Sequence, residues 1–283
     1  PGTCSLENMG VIYYDLETFP RYQYGWSVVG TVGGDWICRQ DGWQRTDIYD
    51  YTPESMQIHL DNHGPTEKTF GTLTDLRDEK VYKTILMGDG HEWMAENLRY
   101  SDSNVTINLK GNSWCWNDEP SNCEIGGRLY SWYAAVDFNE QWGGGAQSLI
   151  QDQHQGICPQ GWHLPSVEEW DGILGDGREK CFEHTHLMAM GFGRNIYDYW
   201  NAASNTSGFS AIPVGYRNIE HNGYFYSGRV TGFWTTRISS NVSAVATVLP
   251  CYSSTDNYEM AGSSWDTNPA IKTGLSVRCV RNY

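Results

Sequence analysis

Beyond Lys68 the chain is a succession of short apolar runs cut by polar turns. In KVYKTILMGDGHEWMAENL two strand-like runs flank Gly88-Asp89-Gly90, which predicts a hairpin. In GGRLYSWYAAVDF the apolar residues Leu129, Trp132, Tyr133 and Val136 fall at helical spacing and predict a short helix near 127–138. LPSVEEWDGILG carries a fuller helix signature. Ser166 can cap the first turn, Glu169 stands where a capping box needs it, Trp170, Ile173 and Leu174 share a face, and Gly175 ends the helix. After residue 205 the pattern is strands and turns: FSAIPVGYRN, YFYSGRV, GFWTTR, AVATVL and GLSVRCV. Two helices followed by a run of strands predict an α+β domain.

The first 66 residues follow a different pattern. VIYYDL and SVVGTV are strand-like, and Asp41-Gly42 between two half-apolar runs is a hairpin signal. Residues 52–67 are polar, with two prolines, and read as a linker. The predicted organisation is therefore a small, β-rich, cysteine-containing module and linker over 1–66, then a larger domain over 67–283. Cys4 and Cys38 are the cysteines of the small module, which is too small for a large core, so a Cys4–Cys38 disulfide is expected to compensate.

Composition narrows the function. The chain is 39% hydrophobic and 14% aromatic, enough to build a core, and the aromatic share is carried by Trp and Tyr, which suit both binding surfaces and loop-rich cores. Its formal net charge of −15, with no basic run, argues against nucleic acid and against an anionic membrane surface. No apolar stretch reaches the roughly 18 residues of a membrane-spanning helix. The eight cysteines are even in number and form no C-x-x-C pair, so disulfides are expected rather than a zinc site, and with them an oxidising compartment. We expect Pro1 to follow a removed export signal or one omitted from the sequence. Cys115 and Cys123 are close enough in sequence to close a local loop.

The string FGTLTDLRDEKVYKTILMGDGHEWMAENLRY, with CWNDEPSNC, GGRLYSWYAA, GICPQGWHLPSVEEW, GFSAIPVGYRN, GFWTTR and GLSVRCV in that order, resembles the Fibrobacter succinogenes major paralogous domain family across residues 68–283. The segment WICRQDGWQR loosely resembles small modules found beside such domains. The resemblance implies a C-type-lectin-like fold related to the formylglycine-generating enzymes, in an exported protein of a Fibrobacter- or Bacteroidetes-like bacterium. It also implies a Cys158–Cys279 disulfide, which leaves Cys181 with Cys251, a pair outside the family pattern and beside an insertion over 176–205. It implies no known reaction.

Each chemistry-bearing motif also has a plainer structural reading. Trp116-Asn117-Asp118, followed by Glu119-Pro120, spells the calcium-and-sugar triplet of C-type lectins, but it precedes the first expected helix and lies between Cys115 and Cys123, so it reads as a disulfide-closed loop. Cys181, Glu183, His184 and His186 are metal-capable, but a disulfide at Cys181 removes its thiolate, and a surface loop is the simpler reading. No nucleophile motif or phosphate loop is present. No catalytic residue, metal or cofactor is therefore expected. Trp93, Trp132, Trp162, Trp170 and Trp234 read as core. Residues 251–268 mix aromatic and polar side chains without apolar periodicity, so Tyr252, Asp256, Asn257, Tyr258, Trp265 and Asp266 are the expected ligand contacts.

The expected function is that of a secreted or cell-surface, non-catalytic binding or adhesion protein. Its expected partner is plant polysaccharide, another glycan or a surface protein, with no nucleic acid and no membrane insertion. The alternatives are a self-assembling subunit of a surface appendage and, third, an enzyme. The disulfide reading has a direct check: the intact, unreduced chain should release no thiol to a chromogenic thiol reagent in denaturant, and titratable thiol would overturn the framework.

Overall fold

The computed structural model describes residues 68–139, 147–174, 184–189, 204–219, 222–225, 227, 230–249 and 269–283, together with the backbone of 12–23, 26–39, 42–45 and 266–267. In the N-terminal part, β1 (Ile12–Gln23) and β2 (Trp26–Arg39) form a long antiparallel hairpin, and β3 (Gly42–Arg45) folds back on β2 with Arg39 opposite Gly42. Gly42 of the Asp41-Gly42 pair thus already belongs to a strand. The side chains of Cys4, Cys38, Cys181 and Cys251 lie outside the described residues, and with them two of the expected disulfides.

The main sheet is built from both ends of the larger region. Strands β4 (Gly71–Thr74), β5 (Val81–Leu86) and β6 (Glu92–Met94) run antiparallel in sequence order. The turn between β5 and β6 is the one marked by Gly88-Asp89-Gly90, where Gly90 takes a φ of 87° and closes back on the Met87 carbonyl. Next come β7 (Ser113–Trp114), a short helix α1 (Ser121–Gly126), β8 (Leu129–Tyr130) and the one-turn helix α2 (Trp132–Ala135). The helix expected over 127–138 is therefore mostly not helix. Leu129 and Tyr130 pair with β7, Tyr130 also bridges Leu275, and a left-handed Asp137 ends α2 after one turn capped by Ser131. The apolar spacing reported burial correctly and helix length incorrectly. α1, which begins inside the Cys115–Cys123 loop and runs past Cys123, has no apolar periodicity that could have announced it.

Strand β9 (Trp162–His163) leads into α3 (Val167–Leu174), whose Trp170, Ile173 and Leu174 are buried as the sequence predicts, with Val167 buried beside them. The capping box is formed: Ser166 Oγ accepts from Glu169 N–H (3.1 Å), and Glu169 Oε2 accepts from Ser166 N–H (2.8 Å). β10 (Tyr216–Asn218) and β11 (Gly223–Phe225) make a small hairpin. β12 (Thr231–Ser240), β13 (Ser243–Leu249) and β14 (Asp266–Thr267) form a three-stranded antiparallel sheet. Finally β15 (Val280–Arg281) inserts between β6 and β9, completing a five-stranded sheet in the order β4-β5-β6-β15-β9. The fold is mixed and strand-rich with short helices, and no helix among the described residues is long and apolar enough to cross a membrane.

Two disulfides lie among the described residues. Cys115–Cys123 closes a loop of sequence separation 8, and Cys158–Cys279 joins positions 121 apart, fixing the segment before β9 to the last strand. A crosslink over so long a stretch contributes about 4–5 kcal/mol in the chain-entropy account. Tryptophan fills the core: Trp93, Trp132, Trp170 and Trp234 are inaccessible, and Trp162 is nearly so. Among the fully buried rings, Trp170 Nε1 has no hydrogen-bond partner among the described residues, while two others reach backbone carbonyls. Trp132 donates to the Thr235 carbonyl (2.9 Å) and Trp234 to the Tyr130 carbonyl (2.6 Å).

The least expected core member is Arg278. It is buried on Phe209 and Phe233, with its guanidinium carbon 4.2 Å and 5.5 Å from their ring centroids. It donates to Asn97 Oδ1 (2.8 Å), to the Ser210 carbonyl (2.8 Å) and to the Phe209 carbonyl. Burial lowers its pKa to about 9 against the opposing pull of Glu96, so the group remains a cation at neutral pH. Asn97 in turn donates to the Gly126 carbonyl (2.8 Å) and to Ser276 Oγ (3.3 Å).

Arg278→Met should therefore leave three acceptors without donors and cost about 3–5 kcal/mol. Arg278→Lys keeps the charge but not the planar fork and should cost about 2 kcal/mol. Urea denaturation midpoints measure both. A second expectation concerns acid. Burial alone would raise the Glu169 carboxyl, but hydrogen bonds from His163 and Ser166 outweigh it and hold the group below its ordinary value. A depressed carboxyl contributes stability above its unfolded pKa of about 4.3, and that contribution fades as pH falls through the folded value. Glu169→Gln should therefore be less stable than the parent near pH 7, with the gap narrowing below about pH 4.3 in denaturation curves taken at stepped pH.

Candidate functional site

The segment that closes the Cys115–Cys123 loop meets the β10–β11 hairpin at the surface. Trp114 ends β7, and Trp116-Asn117-Asp118 form a 3-10 turn directly after the first cysteine. Asn117 and Asp118 both adopt φ of 55°, a left-handed conformation that Asn and Asp tolerate better than most residues. The turn is held from below. Asn122 Nδ2 donates to the Trp116 carbonyl (3.0 Å), and Arg128 donates to Ser113 Oγ (2.7 Å) and to the Ser113 carbonyl (3.1 Å) while its Nη1 lies 3.4 Å from the Cys115 sulfur. A disulfide, an arginine and an amide thus fix a five-residue stretch that carries two tryptophans.

The hairpin supplies the other half. Its register sets Arg217 directly opposite Tyr224. The Arg217 guanidinium lies 4.4 Å from the Trp114 ring centroid and 5.7 Å from that of Tyr224, and the Trp116 and Tyr224 rings meet edge-on at 5.3 Å. Tyr224 donates its hydroxyl to Asp118 Oδ1 (2.5 Å), and Arg217 Nη2 donates to Asn222 Oδ1 (3.1 Å). Burial first, then the Asp118 carboxylate, push the Tyr224 hydroxyl up to about 12, with Arg217 pulling the other way, so the tyrosine remains a neutral donor across the physiological range. The side chains of Trp114, Trp116, Arg217 and Tyr224 are all half-buried, and Asn117 and Asp118 are exposed.

Two glycines make this close approach possible. A Cβ on Gly274 would stand 2.9 Å from the Arg217 Cβ and 3.0 Å from the Trp114 ring. One on Gly215, whose φ is 81°, would stand 2.8 Å from the Trp116 ring and 2.3 Å from the Phe225 carbonyl. The backbone beneath the tryptophans is bare because the rings occupy that space. The result is a patch of aromatic faces interleaved with one cation, one carboxylate and two amides. Such a patch can stack on an apolar ring face while planar polar groups fix orientation by hydrogen bonds.

Other residues singled out in the sequence fall elsewhere. Tyr252, Asp256, Asn257, Tyr258 and Trp265 lie outside the described residues, and Asp266 is described only through its backbone, which pairs with Thr247 in β14. Of the metal-capable cluster, Cys181 and Glu183 lie outside the described residues. His184 is buried, and His186 Nε2 lies 3.2 Å from the Ile173 carbonyl at the end of α3. Ser166, His163 and Glu169 gather near the surface, but their bonds are those of a helix cap. The Ser166 hydroxyl donates to Glu169 (2.9 Å), while His163 contacts Glu169 through Nε2 (2.7 Å) and Asn282 through Nδ1 (2.9 Å), so both ring nitrogens are engaged and neither faces the serine.

Trp114, Arg217 and Tyr224 were not singled out by the sequence. The available signal was the hairpin itself: YRNIEHNGYFY alternates around a turn, and pairing its arms puts Arg217 across from Tyr224. Nothing local ties that hairpin to Trp114, more than a hundred positions earlier in the chain.

The comparisons with known proteins agree with the motifs. Neither the curated proteins nor the solved structures contain a match to this chain. The sequence model of the Fibrobacter succinogenes major domain matches residues 87–281, from the turn after β5 to the last strand, and takes in β6 with Trp93, the disulfide loop, the capped helix and Arg278. With more than half of its length inside that match, the chain belongs to the Fibrobacter succinogenes major domain family.

Proposed function

We propose that this chain is a non-catalytic, extracytoplasmic binding protein that recognises glycans through the Trp114–Trp116–Arg217–Tyr224 patch, on a C-type-lectin-like scaffold. The observation that carries the reading is the patch: aromatic rings and a planar cation, half-exposed and held on a disulfide-pinned turn over glycine backbone. Preorganised aromatic surface keeps the ordering cost of binding low, and sugar rings offer an apolar face edged by hydroxyls that Asp118, Asn117 and Arg217 can meet. Two disulfides fit an oxidising compartment. The cap geometry of Ser166, His163 and Glu169 supports a non-catalytic reading of that trio, because an activated nucleophile needs its base within reach. The lectin-like scaffold is supported by the family and by a sheet that joins β4 to β15, the first and last strands of the larger region.

The test is retention of the full chain on insoluble cellulose and xylan, with soluble oligosaccharides as competitors. Trp116→Ala with Tyr224→Ala removes two aromatic anchors and should weaken retention by about 2 kcal/mol or more, roughly 30-fold, with the melting temperature as the fold control. Unchanged retention in a folded double variant refutes the patch. Absence of retention on any polysaccharide refutes glycan recognition.

A further inference from the structure

A second concavity lies away from the aromatic patch, where the start of α3 meets β12 and the last residues of the chain. Its volume is about 380 Å³, and its wall includes Gln151, Asp152, His163, Glu168, Arg237 and Tyr283. The wall is mostly polar, with Ile150, Leu164 and Val167 as its apolar part, which favours a ligand rich in hydroxyls over a lipid. The floor is rigid. His163 is 1% exposed and is clamped between Asn282 and Glu169, and Glu169 is fixed again by the N–H and hydroxyl of Ser166. At the rim, Arg237 and Glu168 form an ion pair.

Tyr283 makes the concavity more than a wet hollow. The residue is 74% exposed, yet its ring is positioned: it stacks on His91 at 4.5 Å with an interplanar angle of 12° and meets His163 nearly edge-on at 6.1 Å. His91 is itself set by Asp89, whose Oδ2 also accepts from the buried Trp93 indole (3.2 Å). The main chain of Tyr283 is tied to Gln153, with N–H to Oε1 at 3.2 Å and Nε2 to the carbonyl at 3.3 Å. An exposed aromatic ring fixed on two sides beside a polar cavity has the form of a stacking platform with hydrogen-bonding groups around it.

We infer that this concavity is a second saccharide subsite, taking one or two neutral sugar units with a ring face on Tyr283 and hydroxyls on Gln151, Asp152 and the Glu168–Arg237 pair. The inference rests on the glycan-binding reading and extends it to a site with a different shape. Specificity follows from charge. Asp152, Glu168 and Glu169 outnumber Arg237, so a uronic acid brings its carboxylate into an acidic wall, while a neutral sugar does not.

The experiment is a ligand-observed NMR titration of the 283-residue chain with glucose, xylose, galactose and cellobiose, and with glucuronic acid as the anionic control. The expected result is saturable binding of at least one neutral sugar, with no competition from glucuronic acid. Tyr283→Ala and Gln151→Ala, both at exposed positions and each checked by melting temperature, should each weaken that binding tenfold or more. The titration is repeated on the Trp116→Ala, Tyr224→Ala background, which removes the contribution of the aromatic patch, and saturable binding that responds to Tyr283→Ala should persist there. The subsite is refuted if no neutral sugar saturates, if glucuronic acid competes equally, or if neither Tyr283→Ala nor Gln151→Ala weakens binding. Loss in the Trp116 and Tyr224 variant instead would assign all binding to the aromatic patch, refuting the subsite while leaving the first reading intact. Retention on polysaccharide remains a separate measurement, so either reading can fail alone.

Discussion

A buried cation held by backbone carbonyls organises much of this molecule. Arg278 sits in the chain just before the last strand and donates to Phe209, Ser210 and Asn97, three residues from two distant segments. Asn97 then reaches the Gly126 carbonyl at the end of α1 and the Ser276 hydroxyl. A guanidinium taken out of water is tolerable only when its donors are satisfied and its charge is met by oriented dipoles or π faces, and here carbonyls and two phenylalanine rings meet it. The cost of leaving any of these groups unpaired forces the 205–210 turn, the β6–β7 connection and the final strand into one arrangement. Gly127, with a φ of 75° and a hypothetical Cβ only 2.4 Å from that of Asn97, shows how tightly the chain passes this hub.

The hub acts with the Cys158–Cys279 crosslink. Cys279 is the neighbour of Arg278, so two successive residues of one extended segment send one side chain into the polar hub and the next into a disulfide. Met94 N–H bonds the Cys279 carbonyl at 3.0 Å, adding the sheet itself to the same locus. β15 is only two residues long, and its place between β6 and β9 rests less on its own ladder than on these attachments. Fixing it also fixes Tyr283 beside His91 and His163, and hence the wall of the polar cavity.

The aromatic patch is built differently. Its two halves are the end of β7 with the 3-10 turn after it and the β10–β11 hairpin, and what joins them into one surface is the bare backbone of Gly215 and Gly274 beneath the rings, the disulfide at Cys115–Cys123 and the bonds between Arg217 and Gly274, N–H to carbonyl in both directions at 3.0 Å and 2.8 Å. Loops carry recognition where a rigid scaffold positions them, and the scaffold here extends through Gly274 and Leu275 to the hub segment.

Local chemistry alone determined several features correctly. The Ser166–Glu169 capping box, the turn at Gly88-Asp89-Gly90 and the buried face of α3 depend on neighbours within a few positions, so the sequence carries them in full. Burial of the five tryptophans was legible as well, because large apolar surface among family motifs has nowhere else to go. The span of the helix at Leu129–Val136 was not legible, since apolar spacing reports which residues face the core and not whether a strand or a helical turn delivers them. The choice between them fell to Leu275 and Ile271, whose carbonyls receive Tyr130 and Trp132 N–H groups from more than a hundred positions away. The same limit hid the patch and the hub. Trp114 and Arg217, or Asn97 and Arg278, become partners only once the two ends of the larger region have met in one sheet, and in a sequence nothing distinguishes an arginine bound for solvent from one whose hydrogen-bond acceptors are assembled by the fold.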